Sequence, residues 1–307
     1  MLIEGTINLN RRLGTVRVFV QGPRIPRKTD AESPVEIAAK VTLRQTISNL
    51  PMLPMGKTRS EQGWLYNRKE LRTDILRRDP RYFLRWPVIQ REMVARSNAK
   101  FVLDTELPLV KSREWLNNLD ENSVGCPDLI RGTRTSGNLV HHAYHLIRFA
   151  DSTKRVVSSF DSVVEIGAGY GSMCRLISRV SGGAMRSTLI DLPEFSALQK
   201  YFLDLSGTTA TLLTDPSDIQ LVNPPSIRLL IATWSLSEIP IFGRSAIVNA
   251  LGDFDGYLIA FQEAFGEVDN NKYFKEFVLE RPDIKWTTER IEHLPRTNSH
   301  YLFGVRE

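Results

Sequence analysis

From Ser162 onward, short β-rich runs alternate with stretches whose apolar residues recur at three- and four-residue intervals. The runs are SVVEIG, STLID, TATLL, IRLLIAT, GYLIAFQ, IKWTTERIEHL and SHYLFGVR, and the amphipathic stretches among them are GSMCRLISRV, PEFSALQKYFLDL, PIFGRSAIVNAL and NNKYFKEFVLERP. Strands alternating with helices predict a parallel sheet covered by helices. The last two runs differ: only PRTNS separates Leu294 from His300, too little chain for a crossover helix, so these strands are expected to pair as an antiparallel hairpin.

Five crossover strands closed by such a hairpin are the ground plan of the class I methyltransferase sheet, whereas a dinucleotide-binding Rossmann sheet ends in a parallel strand. The expected fold is therefore α/β, a Rossmann-like sheet of seven strands with an antiparallel carboxy-terminal hairpin. Residues 1–135 read differently. They hold short helices such as RKELRTDILRRD and KSREWLNNL, Pro-rich joints at QGPRIPRK and LPMLPMG, and few strong strands. They predict a helical cap or lid with a thin core, and the helix GNLVHHAYHLIRFA opens the cofactor-binding domain, residues 136–307.

The 307 residues and 42% hydrophobic content suffice for one large α/β core and an appended region. The start, MLIEGTINLN, lacks a basic and then apolar leader, and no run approaches the roughly 18 apolar residues of a membrane span. Two distant cysteines, Cys126 and Cys174, form neither a disulfide framework nor a metal-ligand spacing, and a cytoplasmic protein is expected. The net charge of +5 is unevenly spread: Lys and Arg number 25 against 15 Asp and Glu up to residue 150, then 15 against 20. A basic half suits phosphate-bearing partners or a solvated arginine-rich helical face, and the even scatter of the arginines favours the latter.

The strongest chemical signal is VVEIGAGYGSM, Val163 to Met173. A dinucleotide fingerprint needs glycine at the sixth position of Gly-x-Gly-x-x-Gly, where the chain admits a pyrophosphate. Here the glycines are Gly167, Gly169 and Gly171, position 172 is Ser, and Glu165 precedes the first glycine by two. That pattern suits S-adenosylmethionine, which carries no pyrophosphate and presents an amino-acid end to a carboxylate and backbone groups. Asp191 closes the second strand 20 residues after Gly171, where a carboxylate accepts from both ribose hydroxyls. It also suits the N-cap of the helix that begins near Pro193. The expected cofactor contacts are Glu165, Gly167, Ala168, Gly169, Gly171, Asp191, Leu192, Asp215 at the third strand's end, and Trp234 after the fourth.

NPPS, Asn223 to Ser226, imitates the tetrapeptide with which amino-methyltransferases grip a nitrogen, yet it precedes the fourth strand instead of coming after it. The segment directly after that strand is WSLSEIP, which favours an oxygen acceptor. Together with LIDLPEFSALQKYFL and the ending IEHLPRTNSHYLFGV, the glycine run resembles the bacterial sugar O-methyltransferases over roughly residues 125–307. The resemblance implies S-adenosylmethionine-dependent methylation of a sugar hydroxyl, on a small-molecule or glycan substrate that is nucleotide- or lipid-linked or part of a natural product.

A sugar hydroxyl is a poor nucleophile at neutral pH, so a positioned base is expected beside an in-line displacement. Candidates are Glu238 after the fourth strand, His293 near the hairpin, and His142 and His145, which share a stripe with Phe149 on the entry helix. Trp64, Tyr66, Trp86 and Trp115 are cap aromatics that stack on a sugar or base, or anchor the helical layer. No carboxylate spacing is diagnostic of a divalent ion, and no metal is expected. Two other readings compete. One is an RNA- or DNA-directed methyltransferase using the basic half, disfavoured by the misplaced NPPS and the lack of a recognisable nucleic-acid module. The other is a non-catalytic protein that binds S-adenosylmethionine. A homo-oligomer is compatible with the sequence.

Overall fold

The computed structural model describes residues 30–53, 55–221, 227–294 and 298–307. NPPS, QGPRIPRK, the first 29 residues of the cap and most of the hairpin turn lie outside the described residues.

Helices α1 (Pro34–Asn49) and α2 (Arg59–Arg77) each begin at a capping box, Ser33 with Glu36 and Thr58 with Glu61, which satisfies amide groups that the first turn cannot pair. After α3 (Pro87–Glu92), a π-type turn over Val102–Glu106 runs into α4 (Leu107–Ser112). Pro108 cannot donate to the preceding turn, which fits a local widening of the helix there. The expected helix KSREWLNNL is broken: α4 ends at Ser112, Glu114 takes φ +58°, and a separate short turn covers Trp115–Asn118.

The sheet domain is entered through α5 (Gly137–Thr153), whose N-cap Ser136 accepts from Leu139 N. Then come β1 (Ser162–Ile166), α6 (Ser172–Val180), β2 (Arg186–Ile190), α7 (Pro193–Ser206), β3 (Thr211–Leu213) and β4 (Arg228–Thr233). They lead into α8 (Ser235–Glu238), α9 (Ile241–Leu251) and β5 (Gly256–Gln262). A two-stranded ribbon of β6 (Ala264–Phe265) and β7 (Val268–Asp269) has no counterpart in the predicted strand pattern, and α10 (Asn270–Leu279), β8 (Ile284–Arg290) and β9 (Ser299–Arg306) complete the chain.

The seven-stranded sheet has the order β3-β2-β1-β4-β5-β9-β8. Every pairing is parallel except those of β9, which runs antiparallel to both β5 and β8. This is the Rossmann-like sheet with a carboxy-terminal antiparallel hairpin that the strand pattern predicts. The central strands β1, β4 and β5 are buried on both faces, hence their near-continuous apolar runs.

The cap shares its core with the sheet domain. Leu71, Ile75, Phe83 and Trp86 pack in one cluster with Tyr170, Phe195, Tyr201 and Phe202, and the Phe83 ring lies edge-on to Tyr170, Tyr201 and Phe202. Full burial of each such side chain contributes about 1.5–3 kcal/mol. A second bond between the layers is ionic: Glu194, fully buried at the start of α7, meets Arg68 at 2.7 Å and Arg72 at 2.6 Å, both on α2. Burial alone would raise the Glu194 carboxyl, but the two guanidinium groups hold it below its ordinary value. Because the three residues that precede Glu194 are Asp191, Leu192 and Pro193, this clamp ties α2 to the turn that ends β2. Of the cap aromatics, Trp86 is a buried anchor, Tyr66 is exposed beneath Arg91, and Trp64 reaches the Glu238 carboxylate at the end of α8. Among the described residues no helix is long and apolar enough to cross a membrane.

Candidate active site

The carboxyl ends of parallel strands are where open α/β sheets bind ligands, and the chemistry-bearing residues gather there. At the end of β1 the chain turns through Gly167, Gly169 and Gly171, all with positive φ, at +68°, +59° and +94°. Side chains are excluded at the first by space as well as by backbone angle: a Cβ on Gly167 would lie 2.3 Å from the Cβ of Ser235. A Cβ on Gly169 would meet the sulfur of Met93 from the cap at 3.4 Å. The cap therefore roofs the glycine loop.

Asp191 stands at the end of β2, partly exposed. Its Oδ2 accepts from Gly169 N at 3.1 Å and from Gln199 Nε2 at 2.9 Å, and its Oδ1 accepts from Leu192 N at 2.8 Å. The carboxylate thus braces the loop and α7 together, through the N-cap residue Leu192 and through Gln199 in the second turn. Burial pushes its pKa up to about 7 in spite of the backbone donors. Glu165 on β1 is buried, its Oε2 has no hydrogen-bond partner, and burial together with the Asp191 charge pushes it up to about 8. Ala168 lies within the loop between Gly167 and Gly169 and is buried in the cap-facing cluster. Glu165, Gly167, Ala168, Gly169, Gly171, Asp191 and Leu192 are thus brought together. Asp215 is exposed just beyond the edge strand β3, two residues after Leu213, whose carbonyl accepts from Asp191 N, and its Oδ1 accepts from Ser217 N and Oγ.

Carboxylates whose folded pKa is raised favour the folded state below their ordinary values, and that contribution is lost as pH rises through the folded pKa. For Asp191 and Glu165 the window runs from about 4 up to about 7 and 8. The ligand-free protein is expected to lose melting temperature between pH 5 and pH 8, roughly, at constant ionic strength. A cofactor that requires both groups ionised should release protons on binding near pH 6, below both pKa values of about 7 and 8, detectable by calorimetry in buffers of different ionisation enthalpy. A melting temperature that rises steadily over this interval would contradict the assignment.

After β4, Trp234 turns the chain with φ +62° and ψ −28°, a costly conformation for a residue with a side chain. It is held there by its amide, which donates to Ala260 O at 2.7 Å, and by its indole Nε1, which donates to Ser299 Oγ at 3.0 Å. Its ring stacks on His141, centroids 5.7 Å apart and planes 17° apart. His141 Nδ1 lies 2.7 Å from Glu106 Oε1, and His293 Nε2 lies 2.8 Å from the same oxygen. Glu106 is fully buried and its Oε2 has no partner. Burial alone would raise this carboxyl, but His141 and His293 hold it below its ordinary value. The site thus contains a buried carboxylate orienting two imidazoles beside the turn after β4.

Glu106 and His141 are not among the candidates that the sequence suggests. A signal for Glu106 exists: it occupies the i+4 position between Val102 and Val110, which is the buried face of an otherwise apolar segment. His141 lies one turn before His145, and the two rings are 4.2 Å apart. The stripe of His142, His145 and Phe149 does not open onto a cleft as expected. Helix α5 is sandwiched between sheet and cap, so Phe149 packs on Phe160 and Phe303, and buried His145 places Nδ1 2.5 Å from the Tyr301 hydroxyl. Burial and the neighbouring His141 push His142 down to about 3 and His145 well below its usual value, which keeps both rings neutral.

Glu238 occupies a separate polar recess. Its carboxylate interacts with Gln262 and with the Trp64 indole of α2, and its carbonyl accepts from Ser60 Oγ at 2.6 Å. Burial, then the charge of Glu92, push the carboxyl up to about 7. The backbone on either side is anchored by fully buried Arg244, which donates to Ile239 O at 2.5 Å and to Ser237 O, and to Asn270 Oδ1 at 2.7 Å. Among the described residues no group of three or more His, Cys, Asp or Glu has the arrangement of a metal site.

No family model matches the chain, and no curated protein matches it. Several solved structures align with part of the chain. The Thermoplasma acidophilum protein 1320 is 15% identical over 68% of this chain and 98% of its own, with a TM-score of 0.40. An rRNA methylase from Streptococcus thermophilus is 13% identical over 49% of this chain and 91% of its own, TM-score 0.38. An O-methyltransferase family protein from Burkholderia thailandensis is 12% identical over 55% of this chain and 60% of its own, TM-score 0.37.

Proposed function

We propose that the protein is an S-adenosylmethionine-dependent O-methyltransferase acting on a hydroxyl of a sugar or glycosylated small molecule. The observation that carries this reading is the juxtaposition, at one end of the sheet, of the left-handed glycine loop braced by Asp191 and the Glu106-held imidazoles beside Trp234.

The residues present fit the cofactor. The positive-φ turn through Gly167 and Gly169 suits a close backbone approach, Asp191 keeps one acceptor site on Oδ1 for a ribose hydroxyl, and the unpartnered Glu165 Oε2 suits an ammonium group. The absence of a third-position glycine, with Ser172 in its place, suits a ligand without a pyrophosphate. When bound, S-adenosylmethionine supplies an electrophilic methyl group on sulfur.

The acceptor's proton is the protein's task. His141 has the geometry of an oriented general base: the carboxylate fixes Nδ1, the ring is held flat against Trp234, and Nε2 is left to accept a proton. Glu106 stabilises the imidazolium that results, and His293 shares the same carboxylate oxygen. Glu238, with its pKa near neutrality, is the second group able to exchange a proton here. His142 and His145 are kept neutral by burial and take no part in the proton transfer.

The reading is tested by equilibrium binding of S-adenosylmethionine to the purified chain, and then by transfer of a labelled methyl group to sugar acceptors. Binding without transfer to any hydroxyl would favour a non-catalytic role, and absence of binding would overturn the reading altogether.

A further inference from the structure

Among the described residues, most arginines up to position 150 are committed to carboxylates. Arg68 and Arg72 hold Glu194, Arg85 holds Asp128, Arg113 holds Asp151, and Arg134 holds Asp120. Arg96 and Arg131 have no carboxylate partner among the described residues, and both line the same cavity, about 560 Å³ in volume. Its remaining charged group, Asp128, is neutralised by Arg85 at 2.7 Å.

The framework of this cavity is rigid and its polar groups are largely spent. Ser97 Oγ donates to Asp128 O and accepts from Gly137 N at 2.8 Å. Asn138 accepts from Ala95 N at 3.1 Å and donates to the Tyr170 hydroxyl at 2.9 Å, which ties the wall to the glycine loop. Leu129 and Ile130 make another part of the wall apolar. A fixed, partly apolar cavity of this size with two unspent guanidinium groups matches a small anionic ligand. A second cleft of about 570 Å³ shares the wall Val94–Arg96 and reaches Phe101, whose ring packs against those of His141 and His293.

We propose that Arg96 and Arg131 bind a phosphate group of the methyl acceptor, which makes the acceptor a phosphate-bearing sugar. The inference rests on the methyltransferase reading for the word acceptor; the anion site itself stands on the cavity. The forked guanidinium groups pair with phosphate oxygens, the apolar wall takes the uncharged part of the ligand, and the hydroxyl to be methylated lies toward Phe101 and the histidines.

The test uses the full chain with sodium pyrophosphate, uridine diphosphate, and vesicles of phosphatidylcholine containing phosphatidic acid as separate probes. Binding is expected to weaken about tenfold or more in Arg96→Gln and in Arg131→Gln, as loss of a charge-assisted contact predicts, and to be unchanged in Arg77→Gln on α2. Both cavity arginines are exposed, so these variants should keep the wild-type melting temperature. Binding of the soluble probes identifies a free or nucleotide-borne phosphate, and arginine-dependent binding of the vesicles alone identifies a lipid-borne one. The proposal is overturned if none of the probes binds or if binding ignores both substitutions. It is also overturned if the two arginines are needed only for a single-stranded RNA oligonucleotide. S-adenosylmethionine binding measured on the same samples separates the two readings. Cofactor bound without anion defeats this inference alone, and anion bound without cofactor defeats the methyltransferase reading.

Discussion

Asp191→Asn is expected to weaken S-adenosylmethionine binding by about one to two orders of magnitude while leaving the fold intact. With three of its acceptor sites used by Gly169 N, Gln199 Nε2 and Leu192 N, the carboxylate has one left for a ribose hydroxyl, which contributes about 1.5–3 kcal/mol, and each 1.4 kcal/mol is tenfold in affinity. Asparagine replaces one acceptor oxygen by a donor amide, and neither Gly169 N nor Gln199 Nε2 can accept from it. The fold has a way to tolerate this. Gln199 Nε2 also donates to Gly169 O at 3.0 Å, and that bond keeps the loop tied to α7 when the Asp191 acceptor is lost. Calorimetry with S-adenosylmethionine, beside thermal unfolding of the same sample, reads the two effects separately. A folded variant that binds like wild type would remove Asp191 from the ribose.

His141→Ala is expected to lower kcat by about 10²–10⁴ with cofactor affinity nearly unchanged, the range that general-base catalysis supplies. Glu106→Gln should fall between this variant and wild type. It preserves shape and one acceptor oxygen, but it no longer supplies the charge that fixes two imidazoles at 2.7 and 2.8 Å and stabilises a protonated ring. Its activity should therefore be lost in kcat more than in KM, and the pH profile should move with it. Glu238→Gln is the comparison that decides the base. If it abolishes turnover while His141→Ala retains it, the proton goes to Glu238, and the Glu106 cluster becomes a structural brace. His145→Ala is expected to act through stability instead, because its Nδ1 contact to Tyr301 is buried beneath α5.

Local features of the chain were legible to the degree that they were periodic. The strand runs of β1 through β5 emerge from alternation with amphipathic helices, and the β8–β9 hairpin from the absence of room for a crossover. The glycine loop and Asp191 are legible from spacing, because a turn at the end of one strand and a carboxylate at the end of the next are set by short segments. KSREWLNNL misled because its apolar spacing is helical while Glu114 adopts a left-handed conformation that ends the turn. The histidine stripe on α5 misled for a different reason. Amphipathic reasoning assumes a helix with one wet face, and α5 is buried against the sheet on one side and the cap on the other.

By itself, then, the sequence determined the strand segments, the closing antiparallel hairpin and the glycine loop at the end of β1, since each depends on residues a few positions apart, whereas the strand order β3-β2-β1-β4-β5-β9-β8 came from the tertiary structure. Only the tertiary structure decided which residues form the chemical centre. Glu106 and His293 meet across 187 positions of chain, and His145 and Tyr301 across 156. No local periodicity records such contacts. They arise because burying the apolar face of the cap against the sheet domain brings a buried carboxylate and the imidazoles to one place, where desolvation is costly unless each finds the other.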